Sequence, residues 1–168
     1  MKNIIVIISY LIFSIVYSDT IYVPGDYSSI QIAIDSSNEL DTILVSPGFY
    51  QENINFNGKS IVLTSNYEIE NDSLLISSTI IDGGEDGSVV VFNNNEGNNS
   101  VIKGFTLQNG NGLFADPDEN GTFYTYGGGV YCKGSAPTLK DLIITNNSGD
   151  EGGGGGVFCY EASPVIVG

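Results

Sequence analysis

The chain has 168 residues, with five lysines, no arginine, histidine or tryptophan, and twenty carboxylates, for a formal net charge of -15 at pH 7. Without histidine there is no Ser-His-Asp triad, imidazole zinc site or imidazole acid/base, and without arginine there is no bidentate fork for phosphate or carboxylate. An acidic chain of this kind is not drawn to nucleic acid or to an anionic membrane.

In chain order, residues 1–18 read as a signal peptide. Lys2 gives a short basic start, an apolar run extends from Ile4 to Val16, and Val16-Tyr17-Ser18 is a tolerable cleavage site. The run is short and interrupted beside the roughly 20 apolar residues of a membrane span. The expected product is a single domain, residues 19–168, secreted or held at the cell surface. Residues 27–37 place Ile30, Ala33 and Ile34 at helical spacing, with Ser28 or Ser29 as the cap. Such a helix would cover one end of a strand stack and shield its edges. Residues 41–50 then read as a strand and turn, and Ile54 and Phe56 sit in the next strand.

The remainder repeats. Gly127-Gly128-Gly129-Val130-Tyr131-Cys132 returns 27 residues later as Gly154-Gly155-Gly156-Val157-Phe158-Cys159. A second set comprises Lys59 to Ser65, Lys103 to Asn109 and Lys140 to Asn146. Each segment alternates at the two-residue period of a strand and is bracketed by Gly, Asn, Asp, Ser or Pro. A period of 20 to 50 residues marks a solenoid, and short strands with Asn at the bends point to a parallel β-helix. On that alignment Ile61, Phe105 and Leu142 form one inward ladder, Leu63, Leu107 and Ile144 another, and Ser65, Asn109 and Asn146 share one bend.

Tyr22-Val23-Pro24, Ser29-Ile30-Gln31, Asp41-Thr42-Ile43-Leu44-Val45 and Pro47-Gly48-Phe49-Tyr50-Gln51-Glu52 resemble the opening of many pectin-lyase-like right-handed parallel β-helix proteins. Thr79-Ile80-Ile81-Asp82-Gly83-Gly84, Gly104-Phe105-Thr106-Leu107 and the Gly-Gly-Gly-Val-Tyr-Cys units resemble bacterial β-helix repeats, including the polymorphic outer-membrane protein type. The fold this implies is all-β, a right-handed parallel β-helix with a short N-terminal capping helix. One such solenoid hosts many unrelated functions. Val167-Gly168 aligns with Lys140-Asp141, so the sequence stops inside a coil, and further coils are expected beyond it.

Four sets of residues are candidates for function. Asp116-Pro117-Asp118-Glu119-Asn120-Gly121 matches the first half of a calcium loop, with Asp116, Asp118 and Asn120 as oxygen ligands; Gly127 stands where the twelfth-position acid belongs. Tyr131 and Phe158, with Tyr124, Tyr126 and Tyr160 nearby, form an aromatic platform for a sugar if they face out; Tyr and Phe also simply favour strands. Cys132 and Cys159 are equivalent positions on neighbouring strands, either a disulfide or a buried thiol pair. Lys59, Lys103 and Lys140 align in successive repeats. A lysine beside calcium is the base in some β-helix polysaccharide lyases, but here no acid cluster pairs with these lysines and they read as edge charges. Pectinesterases use paired aspartates with an arginine and polygalacturonases use aspartates with a histidine; this chain has neither Arg nor His. Three acid clusters (Glu68, Glu70 and Asp72; Asp116, Asp118 and Glu119; Asp150 and Glu151) are expected along one edge, chiefly for solubility. Asn-X-Ser/Thr sequons at Asn71, Asn98, Asn120 and Asn146 matter only in a eukaryotic source. The leading expectation is a non-catalytic secreted or surface solenoid, a stalk, adhesin or glycan-binding module. The alternative is the N-terminal part of a polysaccharide lyase or a related carbohydrate-active enzyme.

Overall fold

The structure, a computed structural model, describes residues 17–70, 72–149 and 153–168. Nearly all of the expected signal peptide lies outside the described residues, as do Asn71, Asp150 and Glu151. The elements in order are β1 (Thr20–Val23), α1 (Ile30–Ser36), β2 (Thr42–Val45), β3 (Gly48–Gln51), β4 (Ile54–Asn55), β5 (Val62–Ser65), α2 (Tyr67–Glu70), α3 (Leu74–Ser78), β6 (Thr79–Asp82), β7 (Val90–Phe92), β8 (Val101–Lys103), β9 (Thr106–Gln108), β10 (Leu113–Ala115), β11 (Tyr124–Tyr126), β12 (Val130–Lys133), β13 (Thr138–Lys140), β14 (Ile143–Thr145), β15 (Val157–Tyr160) and β16 (Val165–Val167). No described helix is long and apolar enough to cross a membrane.

Alternation sets the architecture. In β2, Ile43 and Val45 are buried while Thr42 and Leu44 are half-buried on the opposite face. Short strands of this kind assemble into three parallel sheets, ordered β1-β2-β5-β8-β13-β16, β3-β6-β9-β14 and β4-β7-β12-β15. The chain visits the sheets in rotation, so each circuit stacks on the one before. The result is a predominantly β protein, compatible with a β-helix-like fold. Between the first and second sheets the backbone turns at Gly104 (φ 78) and, one circuit later, at Asp141 (φ 49). Between the second and third it turns at Asn109 (φ 56) and Asn146 (φ 53). Gly, Asp and Asn are the residues that tolerate a left-handed backbone.

The core is a set of vertical ladders. Leu63 lies opposite Ile43 and Ile102, and Ile102 opposite Leu139. In the second sheet Ile81 meets Leu107, which meets Ile144. The third sheet contributes Val90, Phe92, Val130 and Cys132, and Phe56 and Phe92 pack with ring centroids 4.5 Å apart. Each fully buried side chain of this size is worth about 1.5–3 kcal/mol relative to exposure.

These ladders correct the expected grouping. Ile61 and Leu63 belong with the first sheet, whereas Phe105, Leu107, Leu142 and Ile144 accompany the second. Lys59 is therefore not stacked with Lys103 and Lys140, although those two are directly opposed. Ser65 likewise lies opposite Val45 and not at the bend shared by Asn109 and Asn146. An alternating apolar strand in one sheet looks like one in another, and the α2–α3 insertion after β5 displaces the segment that truly matches β9, namely β6. The acid clusters also part company. Glu68, Glu70 and Asp72 lie between β5 and β6, where the chain passes from first to second sheet, and Asp116, Asp118 and Glu119 lie between β10 and β11.

Helix α1 covers one end, as expected, and Ser29 is its cap, accepting from the Ile32 N–H at 3.1 Å. Glu52 accepts from the Ile30 and Gln31 N–H groups, both at 2.9 Å. At the other terminus Lys59 Nζ donates to the carbonyls of Ile34, Asp35 and Ser37 at 2.6, 2.8 and 2.8 Å. A carboxylate at the start and an ammonium at the end both complement the helix dipole. The Gln31 side-chain amide bonds both the N–H and the C=O of Asn55 on β4, taking the place of a neighbouring strand.

Buried carboxylates serve the turns. Asp41 accepts from the N–H groups of Asp19 and Asn38, both at 2.8 Å. Glu96 takes Gly58 N–H, Asn94 N–H and the Ser135 hydroxyl. Burial works against ionisation of Asp82, yet hydrogen bonds from Gln108, Gly84 and Asn109 hold its carboxyl below the usual range.

Candidate functional site

The residues singled out for metal and ligand binding converge on one insertion, the β10–β11 hairpin between the second and third sheets. Its strands pair antiparallel, Leu113 opposite Tyr126 and Ala115 opposite Tyr124. Alternation gives the hairpin two faces. Leu113, Ala115, Tyr124 and Tyr126 turn toward Val91, Tyr131 and Phe158 on the outer side of the third sheet, forming a second hydrophobic cluster.

Tyr131 and Phe158 do stack across adjacent circuits, with centroids 5.6 Å apart and planes at 18°. They face away from the Val130 and Cys132 core, as one of the two alternating sets must. The expected open platform is covered, however. Tyr126 packs on Phe158 at 4.5 Å, Tyr124 meets Tyr126 edge-on at 6.3 Å, and Tyr131 is only 2% exposed. Burial, followed by the nearby charge of Asp118, pushes the Tyr126 phenol up. These four aromatics anchor the hairpin.

The exposed aromatics are a different pair. Phe114 and Phe123 stack at 5.4 Å with planes at 27°, and are 69% and 53% exposed. Sequence reading passed over both. The signal was present in the alternation of Leu113-Phe114-Ala115, where Phe114 occupies the face opposite the anchors.

The connecting loop is organised by its own carboxylates. Asp116 accepts from the backbone of Asn120 at 3.1 Å and of Gly121 at 2.7 Å. The Asn120 side chain donates to Asp118 at 2.7 Å and accepts from Thr122 N–H at 2.8 Å. Asp116, Asp118 and Asn120 are thus brought together, with much of their hydrogen-bonding capacity directed at the loop itself. Among the described residues no group of three or more His, Cys, Asp or Glu side chains is arranged to hold a metal ion. Beside the loop lies a polar recess of about 230 Å³, lined by Pro117, Asp118, Glu119, Lys133, Tyr160 and Glu161. Lys133 approaches Glu119 at 3.4 Å.

The lysines and cysteines have partners. Glu68 on α2 bridges Lys103 and Lys140, the latter at 2.6 Å, so the stacked lysines do have a specific acid. Those two ammonium groups push the Glu68 carboxyl down to about 2. The neighbouring Tyr67 hydroxyl donates to Asp141 at 2.8 Å. Cys132 and Cys159 are directly opposed on β12 and β15, and both are free thiols.

No protein-family model matches this sequence, and no curated protein sequence is significantly similar to it.

Proposed function

We propose that the chain is a right-handed parallel β-helix, secreted or displayed at a cell surface, that uses the β10–β11 hairpin as a non-catalytic glycan-contact surface. The handedness rests on the strong preference of parallel crossovers for the right-handed sense. The observation that carries the binding role is the stacked, exposed Phe114–Phe123 pair, on the same hairpin whose connecting loop lines the recess with Asp118 and Glu119. Aromatic faces suit sugar rings, and carboxylates suit their hydroxyl donors. Function is commonly carried by an insertion mounted on a regular scaffold. The net charge of -15 favours neutral or amino sugars over uronate polymers, which the whole field of the protein repels.

A lyase would use an accessible lysine as base. Lys59 is spent on helix carbonyls, Lys103 and Lys140 on Glu68, and Lys133 faces Glu119. These bonds support the binding reading over the enzymatic one.

The test is binding to immobilised glycans spanning neutral, amino and uronate classes, followed by titration of the best binder. Phe114→Ala and Phe123→Ala should each weaken binding by about tenfold, the upper end of a single aromatic contact. Full affinity in the double variant would refute the site. Sustained formation of unsaturated products from polygalacturonate or alginate would refute the non-catalytic role.

A further inference from the structure

Cys132 and Cys159 stand in register on adjacent parallel strands, as do Val130 and Val157 before them. Neighbouring strands lie about 4.8 Å apart, inside the Cα window of a disulfide. The two differ in access: Cys132 is buried and Cys159 is exposed. They also differ in freedom. Strand β12 is bonded on both sides, to β7 and β15, whereas among the described residues β15 is bonded on one side only. Opposed side chains in a parallel ladder project side by side, so a bond needs the two Cβ atoms to close by about 1 Å, toward the roughly 3.8 Å of a disulfide. A strand bonded on one side has that latitude.

We propose that Cys132 and Cys159 are an oxidisable dithiol that a small-molecule disulfide such as glutathione disulfide converts into a covalent staple between successive circuits, with the exposed Cys159 attacking and the buried Cys132 resolving. In the first step Cys159 Sγ loses its proton to solvent and attacks one sulfur of glutathione disulfide. The reagent's S–S bond breaks and one glutathione leaves as a thiolate, which takes a proton. In the second step Cys132 Sγ gives up its proton and attacks Sγ of Cys159 in the mixed disulfide, expelling the second glutathione. Two protein thiols are oxidised to one disulfide, and one glutathione disulfide is reduced to two thiols. Burial raises both thiols above their ordinary value, so the exchange is slow at neutral pH and quickens toward pH 9. The strand being stapled also carries Phe158, so the bond would fix the ring on which Tyr126 and the hairpin rest.

The test uses the full chain, fully reduced and then equilibrated in a glutathione redox buffer at pH 8.5, with acid quenching and non-reducing peptide mapping. A urea-unfolded sample serves as the control. The expected result in the folded wild type is a Cys132–Cys159 linked peptide and a higher Tm than the reduced form. Cys132→Ser should stop at a glutathione adduct on Cys159, and Cys159→Ser should leave Cys132 unmodified while folded. A folded wild type that accumulates a stable glutathione adduct on Cys159 would overturn the proposal. So would two free thiols while the unfolded control forms the bond, or a disulfide only between chains.

Discussion

Replacing Glu68 by Gln isolates an electrostatic clamp. The Glu68 carboxylate bridges Lys103 and Lys140, which sit directly opposite one another on β8 and β13. Without it two ammonium groups face each other across one strand spacing. Depression of the carboxyl from 4.5 to about 2 corresponds, at about 1.4 kcal/mol per tenfold, to roughly 3 kcal/mol. The side chain is 40% exposed, and solvent screening reduces that to about 1–2 kcal/mol. Since the folded-state value is lowered, the stability is present above about pH 4.5 and is lost as pH falls toward 2. Urea unfolding at pH 7 should therefore show a midpoint about 0.5–1 M lower for Glu68→Gln, with an unchanged slope. The gap should shrink steadily between pH 4.5 and pH 2 and should also narrow in 1 M salt. Equal midpoints at pH 7, or a gap that stays constant down to pH 2, would refute the clamp.

Lys59→Met strips the last carbonyls of α1 of three charge-assisted donors and should cost about 2 kcal/mol. Hydrogen exchange should speed up first within α1; unchanged exchange there would show that water replaces the ammonium freely. Gly104→Ala puts a methyl group where the Tyr67 ring lies, at a residue with φ 78, and should cost more than about 2 kcal/mol. The Tyr67–Asp141 hydrogen bond should then be lost, and a Tyr67 ring environment that stays native by NMR would count against that contact. The Asp116 loop should take calcium weakly, in about the 0.1–1 mM range of extracellular modules, because the metal must compete with its internal hydrogen bonds. Calorimetry on wild type and Asp118→Ala checks this; no saturable heat in wild type up to several millimolar would exclude the site.

Where a local pattern determined the outcome, the sequence was a good guide. The 27-residue echo of Val130-Tyr131-Cys132 in Val157-Phe158-Cys159 is a true strand register, because nothing intervenes to reset the period. The helix at Ile30, Ala33 and Ile34 and its Ser29 cap follow from spacing within one turn. Glycine clustering was legible as a repeat but not as a cause. A Cβ at Gly128 would overlap the carbonyl oxygens of Ser148, Gly110 and Gly155, so the backbones of two successive circuits meet where side chains are absent. The misplaced Lys59 segment shows the opposite limit. Hydrophobic alternation identifies a strand but carries no label for the sheet it joins, and an inserted helix pair hides the offset. Burial of Tyr131 depended on a hairpin whose docking no local pattern encodes. Phe114 and Phe123 lie in the insertion, outside the repeat, so no periodicity marks them. Charge counting likewise does not reveal that three carboxylates outside the acid clusters, Asp41, Asp82 and Glu96, are buried acceptors for turn backbone.

Helix α1 gives the end of the strand stack that it covers a finish that works against strand addition. At the α1 end two of the three outer strands, β4 and β1, have backbone groups already taken. Gln31 occupies the backbone of Asn55 on β4, and on β1 the Tyr22 N–H goes to Asp26 while its C=O accepts from the Asp26 N–H. Away from that end the three sheets run on in register to β14, β15 and β16, the last described strand of each. A head-to-tail filament would have to use the α1 end in every joint, and those bonds work against each one. In this respect helix α1 does for the stack what a polar cap does for a solenoid: it replaces the next strand with side-chain partners that no incoming backbone can displace without loss.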